Sequence, residues 1–224
     1  MPLTVHDISV RNHSEMLHYG RRPEKTMVES IANGDPGNVS RWLIGSHTGP
    51  HVDAPAHFVE GATTIEDVSL DVLVGPAVVL DLTSVTGQEI GADDLVAAGL
   101  GTEERVLLKT PNSTGALRES EKTPWVGISK EAAELLVERG VRLIGIDFLT
   151  IDSPAGEVDW PVHHVLCGAG VAILEVIDLS EIAPGPYLLA ALPIKLVGSE
   201  AAPARTVLLE GADGFASGGE EGSS

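Results

Sequence analysis

Short apolar, β-branched runs recur along this chain, each bounded by glycine or a polar turn residue, and they leave few architectures open. Pro76–Leu82 (PAVVLDL), between Gly75 and Thr83, reads as a buried strand. Arg105–Thr110 (RVLLKT), Val141–Asp147 (VRLIGID), Gly170–Glu175 (GVAILE), Leu188–Leu192 and Arg205–Leu209 read the same way. Helical signals lie between them. Asp93–Ala98 closes at Gly99, and Lys130–Arg139 has Ser129 as its N-cap, Glu131 in its first turn, Leu135 and Leu136 on one face and Gly140 beyond its end. Strands outnumber helices and two helix-to-strand units fall mid-chain, so a single mixed α/β domain is predicted.

The 224 residues are 43% hydrophobic, enough to bury one continuous core. The charge is the unusual part: 14 Lys+Arg against 33 Asp+Glu give −19. That field repels phosphate backbones and anionic lipid, so nucleic-acid and membrane partners are not expected. One cysteine, Cys167, excludes an internal disulfide framework. The start, MPLTVHDISV, has neither a basic nor an apolar leader region, and no apolar run reaches the roughly 18 residues of a membrane span. A cytoplasmic protein is the expectation. Residues 1–209 are read as the domain and 210–224, acidic and rich in Gly and Ser, as a flexible tail.

The chain has eight histidines, and three stand close together as His47-Thr48-Gly49-Pro50-His51-Val52-Asp53-Ala54-Pro55-Ala56-His57. His47 and His51 are four apart, the spacing of a helical zinc motif, but Gly49, Pro50 and Pro55 argue against a helix. On extended backbone His51 and Asp53 point to the same side, and a turn at Thr48-Gly49-Pro50 folds His47 back toward them. Two imidazoles and a carboxylate converging on one point suit a divalent cation, Zn or Mn, with a position left open for water. Such a cation brings bound water toward a pKa near ~7, which calls for a proton carrier that is not itself a ligand. His57 is placed for that role; a fourth ligand, or a hydrogen-bonder behind the ligands, is its other reading. Cys167, between leucine and glycine, reads as a buried small residue.

A second carboxylate–imidazole pairing lies downstream. Glu175 ends an otherwise apolar strand, where it is either exposed or buried with a partner. If buried, the adjacent His163 and His164 are its natural partners, and a bridging Asp53 would join both groups around two ions.

These residues resemble a known family. His-Thr-Gly-Pro-His-Val-Asp-Ala-Pro-Ala-His-Phe is similar to the HxGxHxDxPxH signature of the cyclase family, which contains bacterial kynurenine formamidase and isatin hydrolase. ERGVRLIGIDFLTIDS, HHVLCGAGVAILE and ALPIKLVGSEAAPARTVLL resemble later segments of that family, so the likeness runs from about Gly37 to Leu209. The resemblance implies a swivelling β/β/α fold, a homodimer or homotetramer, and hydrolysis of a small-molecule amide C–N bond by metal-bound water. It implies His47, His51 and Asp53 as ligands of one ion, with Asp53 shared by a second that His163 and Glu175 also hold, and His57 as the catalytic proton carrier. N-formylkynurenine is the first implied substrate and a cyclic amide such as isatin the next. Two departures stand out: Pro50 replaces the signature's threonine, at a position that is not a ligand, and the N-terminal region has no tryptophan. His18 or Tyr19 would take the place of that tryptophan beside the substrate, and Asn112 and Ser113, in Thr110-Pro111-Asn112-Ser113, read as donors to a substrate carbonyl or as ordinary loop residues. Two alternatives stay open: ring closure or dehydration on the same fold, and a non-catalytic binding protein with a structural metal.

Overall fold

The computed structural model describes residues 2–18, 20, 22–115, 117, 124–156 and 158–211. In chain order the strands are β1 (Thr4–Asp7), β2 (Glu24–Glu29), β3 (Val39–Leu43), β4 (His51–Asp53), β5 (Val74–Asp81), β6 (Glu89–Ile90), β7 (Arg105–Lys109), β8 (Gly127–Ile128), β9 (Leu143–Ile146), β10 (Ala172–Glu175), β11 (Gly185–Pro193) and β12 (Ala201–Glu210). The helices are α1 (Leu70–Leu73), α2 (Ala92–Ala97), α3 (Lys130–Glu138) and α4 (Pro161–Gly168).

Eight strands run in the order β1-β12-β11-β5-β7-β9-β10-β4, and β4 pairs with β12 as well as with β10. That second pairing closes seven strands into a barrel, with β1 added on β12. The strands β5, β7, β9 and β10 are mutually parallel and the remaining pairings of the sheet are antiparallel. Parallel neighbours need long crossovers, which α2, α3 and α4 occupy.

Two cores follow from the alternation along the strands. Val52, Leu107, Leu143, Leu174, Leu189 and Leu208 fill the barrel. Leu108, Ile144, Ile146 and Ile173 face outward and pack under Leu95 of α2, Leu136 of α3 and Leu166 of α4. Burial on both faces is why these strands read as unbroken apolar runs. Gly145 is required inside the barrel, because a Cβ there would sit 2.4 Å from the Leu107 side chain.

The strands predicted at 76–82, 105–110, 141–147, 170–175, 188–192 and 205–209 are all present, as are the helices predicted at 93–98 and 130–139, each with shifted ends. Ser129 accepts from the Ala132 N–H as an N-cap. The short strands β1, β6 and β8, and helices α1 and α4, carry weaker local signals and come from the tertiary fold. β2 and β3 form a separate hairpin exposed along its whole length.

Candidate metal centre

The register of three strands builds the centre. In the antiparallel pairing of β4 with β10, His51 lies opposite Glu175 and Asp53 opposite Ile173. Val52 points into the barrel, so its neighbours His51 and Asp53 point out, beside Glu175, on the side where α4 packs. All three are buried. The turn before β4 delivers His47: Gly49 has φ +65, and a side chain there would run into the Asn12 amide. A 3-10 turn at Pro55–His57 then places His57, and α4 supplies His163.

Distances are short throughout. His47 Nδ1 lies 2.9 Å and His51 Nε2 3.3 Å from Asp53 Oδ1. His51 Nε2 is 3.5 Å from Glu175 Oε2. His163 Nε2 is 3.8 Å from Asp53 Oδ2 and 3.6 Å from Glu175 Oε1. Donor atoms of His51, Asp53 and Glu175 lie within 4.8 Å of one another, as do those of His47, Asp53 and His57, and Asp53 is common to both groups. His164, next to His163, faces away and stays partner to the Phe58 ring at 4.9 Å between centroids.

Anchors outside the cluster set the imidazoles. His51 Nδ1 donates to the Gly49 carbonyl at 2.7 Å, so Nε2 is the atom it presents to Asp53 and Glu175. His47 Nε2 lies 3.2 Å from Glu200, which also accepts from the Ser46 hydroxyl. Glu175 Oε1 accepts from the Ile151 N–H at 2.8 Å.

Burial disfavours the cations of His51 and His163, yet the surrounding carboxylates outweigh it and push them up to about 9 and about 10. Asp53 is held well below the ordinary carboxylate range, since the field of His51 and the other imidazoles overcomes its burial. Glu175 is raised by burial and by the Asp53 charge. His57 goes the other way: burial, with the neighbouring His47 and His163, drives it down to about 4, leaving a neutral imidazole at pH 7.

Both Asp53 oxygens and His51 Nε2 are buried without a hydrogen-bond partner. Buried polar atoms are almost always satisfied, so three orphans facing one another call for a further group. Hard carboxylate oxygens mixed with imidazole nitrogens, and no thiolate, fit a divalent cation. Cys167 lies buried in α4 with its thiol pushed up to about 12 by burial, which leaves it inert.

A cavity of about 610 Å³ opens onto the cluster. His47, His57, His163 and Glu175 form its polar end, while Leu43, Ile44, Phe58, Leu149 and Trp160 make an apolar wall and Arg22 joins them. The other substrate-side expectations fare differently. Asn112 and Ser113 do not reach this wall: both are buried, the Asn112 amide donates to the Val126 carbonyl at 2.8 Å, and the Ser113 hydroxyl donates to Asp147 at 2.7 Å. They hold a loop rather than a substrate. His18 is half-buried with Nδ1 unpartnered among the described residues, and it is not on the wall; Tyr19 lies outside the described residues, as does the predicted tail from residue 212 onward. Sequence reasoning missed Glu200 and Trp160. Trp160 has φ 50, a conformation rare for a bulky side chain, and the Trp-Pro pair three residues before His163 was its available signal.

A closed barrel with helices on its parallel strands, carrying imidazoles and carboxylates at the end of an open cavity, defines a metal-dependent enzyme. The chain belongs to the Cyclase family, whose model matches residues 6–153. It is 39% identical over 184 residues to a kynurenine formamidase of Salinibacter ruber, an alignment covering 79% of this chain and 82% of that one. Among solved structures it superposes on a predicted metal-dependent hydrolase from Bacillus stearothermophilus with a TM-score of 0.80 at 33% identity, over 93% of this chain and 99% of that one. Isatin hydrolase A from Ralstonia solanacearum shares the fold at a TM-score of 0.81 and 22% identity, over 92% of each chain. The mixed α/β fold of the cyclase type is therefore the one present.

Proposed function

We propose that this protein is a metal-dependent hydrolase that cleaves an amide C–N bond, other than a peptide bond, in a small molecule. The observation carrying this reading is the orphaned Asp53 carboxylate, ringed by imidazoles at the end of a cavity that the neutral His57 ring also lines. His47, His51, Asp53, His163 and Glu175 would hold the cation, Zn or Mn, as one or two ions. When bound, the cation supplies Lewis acidity toward a carbonyl oxygen and toward water.

The chain's own residues do the rest. A ring nitrogen of His57 accepts the proton that attacking water loses as its oxygen bonds to the carbonyl carbon. The same nitrogen returns that proton to the departing nitrogen as the C–N bond breaks, so the ring ends neutral. Phe58 and Trp160 give an aryl group an apolar face, and Arg22 offers a cation to a substrate carboxylate. Those features, with the named formamidase relative, support N-formylkynurenine as first substrate and isatin as the next. A homodimer or homotetramer in the cytoplasm completes the reading.

The test is hydrolysis of N-formylkynurenine and of isatin by protein loaded with Zn or Mn. The expected result is turnover that chelation abolishes, and a fall of about 10²- to 10⁴-fold in kcat for His57→Ala with metal content unchanged. Undiminished turnover in that variant would remove His57 from the mechanism. Turnover of neither compound by metal-loaded protein would remove both substrates.

A further inference from the structure

Asp152 lies outside the ligand set, yet its carboxylate touches that set directly. It is fully buried in the loop after β9. Its Oδ1 accepts from the Val162 N–H at 3.0 Å and its Oδ2 from the His163 N–H at 3.3 Å, and Oδ2 also meets His163 Nδ1. Those two amides belong to the first turn of α4, which has no cap of its own. Its N-cap residue is Trp160, whose side chain makes no capping bond, and its first residue is a proline with no N–H to satisfy. Asp152 thus caps the helix from ten positions upstream.

We propose that Asp152 is the positioning residue of the centre: it fixes the tautomer and direction of His163, and thereby the affinity for the divalent cation. This rests on the reading of His163 as a ligand. An ionised carboxylate accepts and does not donate, so the proton of His163 must sit on Nδ1. Nε2, the atom 3.6 Å from Glu175 and 3.8 Å from Asp53, is then the one that gives up its proton to leave a lone pair for a cation. Because the helix amides hold the carboxylate in place, the ring has little freedom to turn. The loop itself is pinned from two further sides: Trp125 Nε1 donates to the Asp152 carbonyl at 3.0 Å, and Ile128 bridges to Asp152. The residue just before, Ile151, donates its N–H to Glu175. One short loop therefore positions both side chains on the far side of Asp53.

Asparagine at this position reverses the bond to His163 Nδ1 while keeping one of the two cap bonds. With its carbonyl oxygen kept on the Val162 N–H, its NH₂ group takes the place of Oδ2, where it faces His163 Nδ1 and demands a lone pair there, and the His163 N–H loses its acceptor. The proton moves to Nε2, where it points at Asp53 and Glu175 and must be displaced before a cation binds.

The experiment uses the full chain with Asp152→Asn and Asp152→Ala. Expected for Asp152→Asn are a change of the neutral His163 ring from the Nδ1–H to the Nε2–H tautomer, read by ¹⁵N–¹H correlation along a pH titration of chelator-treated protein, and Zn affinity about 10- to 100-fold weaker by competition with a chromophoric chelator. Chelator-treated Asp152→Ala, which loses both cap bonds, should melt several degrees below the parent, and Asp152→Asn, which keeps the Val162 bond, between the two. An Nδ1–H tautomer retained in Asp152→Asn overturns the proposal, and so does Zn affinity equal to that of the parent. If the parent binds neither Zn nor Mn, the proposed function fails on its own account, and the tautomer decides the role of Asp152.

Discussion

Asp53 and Asp147 are both fully buried aspartates, and their surroundings have made opposite use of them. Asp147 receives the Thr110 N–H at 2.9 Å and hydroxyl at 2.6 Å, and the Ser113 N–H at 3.2 Å and hydroxyl at 2.7 Å. Each hydroxyl accepts from a backbone amide, Asn112 N–H on Thr110 and Leu179 N–H on Ser113, so each has its proton left for Asp147. Asp53 has imidazoles within ion-pair distance and no aligned hydrogen bond, which leaves its lone pairs to a cation. Burial nevertheless raises Asp147 to about 6, against the pull of its hydroxyl and amide donors. The folded chain then holds this proton more tightly than the unfolded one. Its contribution to stability is present in full below the unfolded value near 4 and is lost as pH rises through about 6. Asp147→Asn removes the titration. Between pH 7 and pH 5 the parent should gain about 1 kcal/mol relative to that variant, measured by urea midpoints at each pH. A difference that stays constant across that range would show that Asp147 keeps an ordinary pKa.

At the scale of elements, what could be read from the chain was whatever its own neighbours determine. Alternation along His51-Val52-Asp53 is a local property of a strand, and a glutamate closing an apolar run is local too, so both were legible. The helix α4 was not, because the carboxylate that caps it comes from Asp152. Asn112 and Ser113 misled for the same reason: their partner Asp147 stands 35 and 34 residues away. The closing of the barrel is equally non-local, since it depends on three residues of β4 pairing on both sides with β10 and β12. A one-residue slip there would turn His51 and Asp53 inward and Val52 out. The parallel centre of the barrel gives this scale its prediction. Gly145→Ala places a methyl 2.4 Å from Leu107 and 3.2 Å from Ile177, in a fully buried layer. The expected cost is about 1–3 kcal/mol of stability, measured by denaturant unfolding, with metal content unchanged because the centre lies on the other face of the wall. An unchanged midpoint would mean the barrel interior has room the packing denies.

At the scale of the whole molecule the acidity is distributed, not focused. Some of the described bases pair with acids: Arg205 with Asp7, Arg142 with Asp71 and Glu104, and Lys130 with Glu134. Those pairs leave the net charge at −19, so like-charge repulsion prevails over the chain as a whole. No helix of the described residues is long and apolar enough to cross a membrane, and the net negative field repels anionic surfaces. Self-repulsion among exposed charges is screened over about 10 Å at 0.1 M salt, whereas the buried centre is shielded from that screening. Raising NaCl from about 10 mM to about 300 mM should therefore lift the melting temperature of chelator-treated protein by a few degrees. The same change should leave Zn affinity, set by buried groups, nearly constant in the parent. A melting temperature that stays flat or falls would mean that the exposed ion pairs, weakened by salt, contribute more to stability than the net charge costs.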